Sequence, residues 1–325
     1  MPTIKDVAKK ANVSVATVSR VINNTGYVNE ETRKLVEAAI KELEYIPNEL
    51  ARSLFKKQSK IVGLIVPHLS TYFFAELIEA LEEALAKKDY KLMIFNAKDD
   101  PIRERKYMQV FNQYNIDGIV LVAHTEQYKD YLDLRIPIIT IDHKLNDAIP
   151  SITSDNEMGG RLAAQKLVET GCKKVIHLRG PSFLITAKNR NKGFNYIIEQ
   201  ANIEMHTMDL AFVDPDQTMI ENFIRKHLDA DGIFCSSDVI ALHALKALYT
   251  LKKKVPEEIQ VIGYDNIELS LLATPPLTTI NQPINDLATE ASNTLLELIE
   301  KKEITVLHKV LPVSLVERDS TKKNS

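Results

Sequence analysis

The segment ANVSVATVSRVINN, from Ala11 to Asn24, gathers short hydrogen-bonding side chains and one guanidinium onto one helical face. Ser14, Thr17, Ser19, Arg20 and Asn23 fall opposite Val18, Val21 and Ile22, which recur at helical spacing. Hydroxyls suit anchoring to phosphate oxygens, an arginine can bond two guanine acceptors at once, and Val15 and Ala16 can lie against thymine methyls. Such a face fits a DNA major groove. The charge distribution agrees: the first sixty residues hold 11 Lys/Arg against 7 Asp/Glu, in a chain whose formal charge is −3. The excess sits at the front, where Lys5, Lys9, Lys10 and Arg20 face only Asp6, as expected of an edge that meets phosphates.

The elements that must position this face have their own start signals. Thr3 followed by Asp6 is a capping-box pattern ahead of Ile4, Val7, Ala8 and Ala11, predicting a first helix to about Lys10. Ser14 caps a second helix, and Asn29 a third with Glu30 and Glu31 at its positive end. The third helix is expected to bury Leu35, Val36, Ala39, Ile40 and Leu43. Pro47 stops it, and Asn48 begins a linker, NELARSLFKK, with Leu50 and Leu54, and Ala51 and Phe55, at helical spacing. At under ten residues this linker is too short to be a stable helix alone, so it is expected to fold only when bound.

From Ile61 apolar runs alternate with amphipathic helices, the sign of βα units around parallel sheets. Strands are predicted at IVGLIVP, KLMIFNA, DGIVLVA and IPIITID, then, after Gly159 and Gly160, at KKVIHLRG, MDLAFVD, DGIFCSS and IQVIGYD. Two similar doubly wound lobes result, with PSITSDNEMGGRLAA as the crossover and the two glycines allowing close helix packing. No dinucleotide fingerprint, phosphate loop, H-E-x-x-H or G-x-S-x-G is present, so no cofactor is expected and an enzyme has no motif in its support. Cys172 and Cys235 stand far apart without metal spacing and read as reduced core residues; no metal site is expected. The start MPTIKDVAKK has no apolar stretch, and no run approaches eighteen apolar residues, so a cytoplasmic protein is expected rather than a secreted or membrane one.

TIKDVAKKANVSVATVSRVINN, then ELEYIPNELARSL, resembles the head of the lactose-galactose repressor family, and the likeness runs nearly to LVERDST. The overall pattern, including SDNEMGG and IDHK, is most similar to repressors of sucrose or ribose utilisation. The resemblance implies an all-α helix-turn-helix head before an α/β core like that of periplasmic binding proteins. It implies DNA contacts from Thr3, Ser14, Val15, Ala16, Thr17, Ser19, Arg20 and Asn23 in the head and from Asn48, Ala51 and Leu54 in the linker, with Val15 and Ala16 setting operator choice. Leu54 would be the apolar wedge pushed into the minor groove of a pseudopalindromic site. By the same match, ligand-binding residues are Phe73, Phe74, Asp142, Arg190, Ser237, Asp265 and Gln282. Two carboxylates and a guanidinium suit the hydroxyls of a sugar, and a ring suits its apolar face. Ser237 replaces an asparagine frequent at that place, which weakens its assignment.

The expected boundaries are 1–46 for the head, 47–59 for the linker, 60–156 with 285–318 for the first lobe, 157–284 for the second, and 319–325 for a tail. One small head makes too few base contacts for useful specificity, so a homodimer on paired half-sites is expected. The function implied is a transcription repressor of a carbohydrate-utilisation operon, released from its operator by a small sugar between the lobes. The alternatives are a catabolite-control-type regulator answering a phosphorylated carrier protein and a purine-type repressor that needs its ligand to bind DNA.

Overall fold

The computed structural model describes residues 2–46, 58–122 and 136–323. They fall into two compact units that divide between Ser59 and Lys60. The first unit has three helices: α1 (Ile4–Lys10), α2 (Val15–Asn23) and α3 (Glu30–Glu42). Their starts are those the caps predicted. Both the N–H and the hydroxyl of Thr3 donate to Asp6 Oδ2, at 2.8 and 2.7 Å. The Ser14 hydroxyl accepts from Thr17 N, and Asn29 Oδ1 accepts from Glu31 N. Asn24 closes α2 in the left-handed conformation, which asparagine tolerates better than most residues.

Val7, Ala8, Ala11, Val18, Val21, Val36 and Ala39 form the small core of this unit. Leu35, expected inside, is instead 58% exposed. The inward stripe of α3 follows Val36, Ala39, Ile40 and Leu43, and Leu35 lies one residue, about 100°, to its side.

The second unit holds two six-stranded sheets. Those of the first are β1 (Ile61–Val66), β2 (Lys91–Asn96), β3 (Gly118–Leu121), β4 (Ile138–Ile141), β5 (Ser151–Ser154) and β11 (His308–Leu311), ordered β11-β5-β4-β3-β1-β2. Those of the second are β6 (Lys174–Arg179), β7 (Glu204–Asp209), β8 (Gly232–Cys235), β9 (Gln260–Asp265), β10 (Thr278–Asn281) and β12 (Ser314–Val316), ordered β12-β10-β9-β8-β6-β7. All neighbours are parallel except β10 and β12.

Helices cover the sheets: α4 (Tyr72–Ala86), α5 (Pro101–Gln113) and α11 (Ile284–Ile299) the first, α6 (Asn156–Glu169), α7 (Ile185–Gln200), α8 (Gln217–Lys226) and α9 (Asp238–Thr250) the second, with the short α10 (Glu268–Leu272) after β9. Strands buried on both faces need continuous apolar runs, which is why IVGLIV and GIFC are legible as strands.

In this second unit the structure departs from the sequence pattern at four places. The strand expected at MDLAFVD is shifted: only Met208 and Asp209 of that segment belong to β7, which lies earlier, at Glu204–Asp209, because its place at the sheet edge tolerates alternating polar residues and its pairing with Lys174–Arg179 sets the register. The polar SITS of β5 is a strand inside the supposed crossover, held between β4 and β11. HKVLPVSLVER does not wholly complete the first lobe: His308–Leu311 does, but Ser314–Val316 crosses to pair with β10. Residues from 319 are not simply a tail, since Ser320 is fully buried and its hydroxyl donates to the Val261 carbonyl at 2.6 Å.

The chain therefore passes between the lobes three times, at 154–156, 281–284 and 311–314. The glycines just past the first crossing, in α6, have separate reasons: Gly159 makes room for the Tyr264 side chain of β9, and Gly160 for the close packing of α6 on α7. A Cβ on Gly160 would collide with the Arg190 carbonyl, and one on Gly193 with that of Glu157.

Candidate functional site

In open parallel sheets the loops at the carboxyl ends of the strands gather at one edge, where ligands bind. In the second unit those loops from both sheets converge on one cavity. The cavity brings together all seven residues expected there: Phe73, Phe74, Asp142, Arg190, Ser237, Asp265 and Gln282. The first lobe supplies the start of α4 and the turn after β4. The second supplies α7 and the ends of β8, β9 and β10.

Asp142 and Asp265 hold equivalent places at strand ends, and both have left-handed backbone, with φ of 69° and 116°. Such conformations cost free energy in an aspartate and persist where the surroundings impose them. At Asp142, the Thr140 hydroxyl donates to His143 O at 2.6 Å and closes the turn. At Asp265, the buried Asp238 carboxylate accepts from Ile267 N at 2.9 Å and from the Thr279 hydroxyl at 2.5 Å, bracing the loop from behind.

Arg190 is 4% exposed and bonded on several sides. Its Nε donates to Asn156 Oδ1 at 2.7 Å, its Nη1 donates to Ser236 O at 2.6 Å and lies 3.5 Å from Asp265 Oδ1, and its guanidinium stacks 3.7 Å above the Tyr264 ring. Gln282 Nε2 donates to Asp265 Oδ1 at 2.7 Å. Burial pushes the Asp265 carboxyl up to about 7; Arg190 and the Gln282 amide pull it down, while Asp142 and Glu76 add to the rise. Asp238 is likewise raised, by burial and then by Asp265.

Phe73 and Phe74 meet edge to face, 5.4 Å between centroids; Phe73 is also part of the first-lobe core. Ser237 lines the cavity, but its hydroxyl caps α9 by accepting from Ile240 N at 3.3 Å. The chemistry assembled is two carboxylates, one guanidinium, an amide, hydroxyls and aromatic faces, a set suited to a compact polyhydroxyl ligand.

Asn156, Thr186, Phe212, Asp238 and Tyr264 belong to this construction and were not singled out from the sequence. Tyr264 adjoins Asp265 in GYDN and Asn156 lies within SDNEMGG, but their roles come from partners far along the chain. Phe212 lies three residues past the end of β7, in a stretch whose apolar pattern looks like a continuing strand.

In the first unit, Ser14 and Ala16 are exposed, Val15 is 41% exposed and Arg20 is exposed, while Val18 and Val21 point inward. The Ser14 and Thr17 hydroxyls bond at 2.9 Å, and Asn23 Nδ2 donates to Ser19 O at 2.9 Å, so part of this polar face is ordered by its own helix. Thr3 is engaged with Asp6, whose carboxyl is held below its ordinary value by those hydrogen bonds. Asn48, Ala51 and Leu54 lie outside the described residues. Among the described residues no helix is long and apolar enough to cross a membrane.

A helix-turn-helix head with a two-lobed parallel-sheet body of periplasmic-binding type defines a ligand-responsive DNA-binding regulator. Comparison with known proteins agrees. Residues 3–48 match the family model for bacterial regulatory proteins of the lacI family, and residues 164–321 match a periplasmic binding protein-like domain. The chain is 40% identical to a ribose operon repressor of Halalkalibacterium halodurans, covering 99% of this chain and 98% of that protein. It is 39% identical to a sucrose operon repressor of Pediococcus pentosaceus, covering 97% and 98%. The crystal structure of the lac repressor dimer bound to operator and the anti-inducer ONPF superposes with a TM-score of 0.88 at 27% identity, covering 98% of this chain and 99% of that one. The chain belongs to the lacI family of bacterial regulatory proteins.

Proposed function

We propose that this protein is a cytoplasmic repressor, not an enzyme, that binds a pseudopalindromic operator as a homodimer and leaves it when a small sugar enters the cleft. The observation that carries the reading is the convergence of Asp142 from one lobe with Arg190 and Asp265 from the other on one cavity, in a chain whose other unit is a helix-turn-helix head. The relatives named for ribose and sucrose operons support a carbohydrate-utilisation operon as the target. The lac repressor dimer on its operator supports the oligomeric state and the mode of DNA binding.

The head contacts would come from Thr3, Ser14, Val15, Ala16, Thr17, Ser19, Arg20 and Asn23, and the linker contacts from Asn48, Ala51 and Leu54. The cleft set would be Phe73, Phe74, Asp142, Arg190, Ser237, Asp265 and Gln282. A ligand shifts the lobe angle only by binding one arrangement better than the other, and coupling of ~1–3 kcal/mol corresponds to operator weakening of roughly 5- to 150-fold. The test is operator titration with and without a sugar found by screening. Asp265→Asn should bind operator normally and lose most of its response, because an acceptor of paired hydroxyls becomes in part a donor. Release of this variant at the wild-type sugar concentration would remove the cleft from the mechanism.

A further inference from the structure

A second cavity opens beside the first and shares Thr71, Phe74, Leu184 and Phe212 with it. The two spaces differ in chemistry. The inner one has Asp142, Arg190, Asp265 and Gln282, the groups that bond hydroxyls. The outer one is bounded by Phe74, Phe183 and Phe212 with Pro67 and Pro181; beside the hydroxyl residues Thr71 and Ser182, its titratable groups stand as a His68–Asp99 pair at 2.8 Å and as Asp209, which Arg179 holds at 2.7 Å. Phe183 is 68% exposed, an aromatic ring that nothing among the described residues requires to face solvent.

Charge narrows the ligand further. Arg190 is the only lysine or arginine among the described residues lining either space, and Asn156 and the Ser236 carbonyl already take two of its donors. Four aspartates line the two spaces: Asp99, Asp142, Asp209 and Asp265. Asp238 lies directly behind. The starts of α4 and α7 also face the cleft, each with about half a positive charge, which helps to hold Asp142 and Asp265; His68 is engaged with Asp99 and Arg179 with Asp209, so among the described residues each cationic group at the two spaces already has an acidic partner. A phosphate ester brings roughly −1.5 to −2 charges at neutral pH.

We propose that the effector is an uncharged glycoside of two rings, one bonded in the inner cavity and the second lying against Phe74, Phe183 and Phe212 outside it, and that its phosphorylated form is rejected. This rests on the reading of the inner cavity as a sugar site. The first ring is oriented by directional hydrogen bonds and the second by its apolar face, so the inner site sets identity and the outer site sets size.

The test is calorimetric titration of the full-length protein with three matched sets of probes: the monosaccharides ribose, fructose and glucose; the disaccharides sucrose and cellobiose; and glucose 6-phosphate with sucrose 6-phosphate. One disaccharide should bind about tenfold or more tightly than its component monosaccharides, and each phosphate should bind about tenfold or more weakly than its parent. Phe183→Ala, at an exposed position that the fold does not depend on, should weaken the disaccharide by roughly three- to tenfold and leave the monosaccharides unchanged. A monosaccharide that binds as tightly as any disaccharide, a phosphate that binds better than its parent, or indifference of the disaccharide to Phe183→Ala would overturn the proposal while leaving the sugar site in place. Failure of every probe to bind would remove the sugar site and the outer site together.

Discussion

Asn156 and Arg190 stand thirty-four positions apart and are joined by a 2.7 Å hydrogen bond from the guanidinium Nε to the amide Oδ1. The same amide donates through Nδ2 to the carbonyl of Ser154, the last residue of β5 in the first sheet, at 3.1 Å. One buried side chain thus links a strand crossing between lobes to the cation of the ligand cleft. Asn156→Ala should leave a buried guanidinium donor without its acceptor, costing on the order of 1.5–3 kcal/mol in stability and weakening sugar binding about tenfold. Asn156→Asp, which keeps the acceptor, should recover most of the sugar affinity. Chemical denaturation alongside sugar titration checks both; equal affinity for wild type and the alanine variant would reduce Asn156 to a structural role.

Sugar binding should depend on pH through Asp265. Its carboxyl is raised to about 7, first by burial, with Arg190 and Gln282 opposing and Asp142 and Glu76 reinforcing. Hydroxyl donors need the ionised form, so affinity should fall as pH drops below about 7, by up to tenfold per unit. The sign for stability is opposite. Because the folded value lies above the ordinary 3.8, the folded state binds the proton more tightly, and the contribution of this group to stability falls as pH rises from about 4 to 7. Calorimetry between pH 5.5 and 8.5 tests the affinity trend, and Asp265→Asn should flatten it.

Ser14 has two separable tasks. As the α2 cap its loss to alanine should cost ~0.5–2 kcal/mol of local stability, whereas glycine in the same place should cost only a few tenths. If the hydroxyl also bonds a phosphate, Ser14→Gly should still weaken operator binding. Hydrogen exchange of the α2 amides reports the first effect and operator titration the second. Full operator affinity in the glycine variant would confine Ser14 to capping.

If Leu54 has the proposed wedge role, Leu54→Ala should weaken operator binding by on the order of a few kcal/mol with little change in sugar affinity, since Leu54 is not among the residues proposed for the cleft. A gel-shift series on a symmetric operator, paired with sugar titration, measures both. Unchanged operator affinity would take the wedge out of the account.

The reading of the head came from local rules. A cap hydrogen bond spans two or three residues and a helical stripe spans a few turns, so Thr3, Ser14 and Asn29 marked their helices within a single stretch of chain. Apolar runs marked β1, β4, β8 and β9 for a similar reason, because strands covered on both faces admit little else. The cleft residues were legible through family resemblance rather than periodicity, and the cavity collects all seven.

What the chain order could not decide was which neighbours complete each element. The SITS of β5 has no apolar signature and becomes a strand only between β4 and β11; three residues past β11 the chain joins the other sheet, because β10 presents an edge there. Residue types and local spacing determined by themselves a three-helix head with a face suited to DNA and a body of two α/β lobes, while the sugar-compatible side chains were marked by the family resemblance. Only the tertiary structure decided that Asn156 and Tyr264 hold Arg190, that Asp238 backs Asp265 and that Phe212 joins the inner cavity to the outer one, because those contacts join residues far apart in the chain and depend on how the lobes close around the cleft.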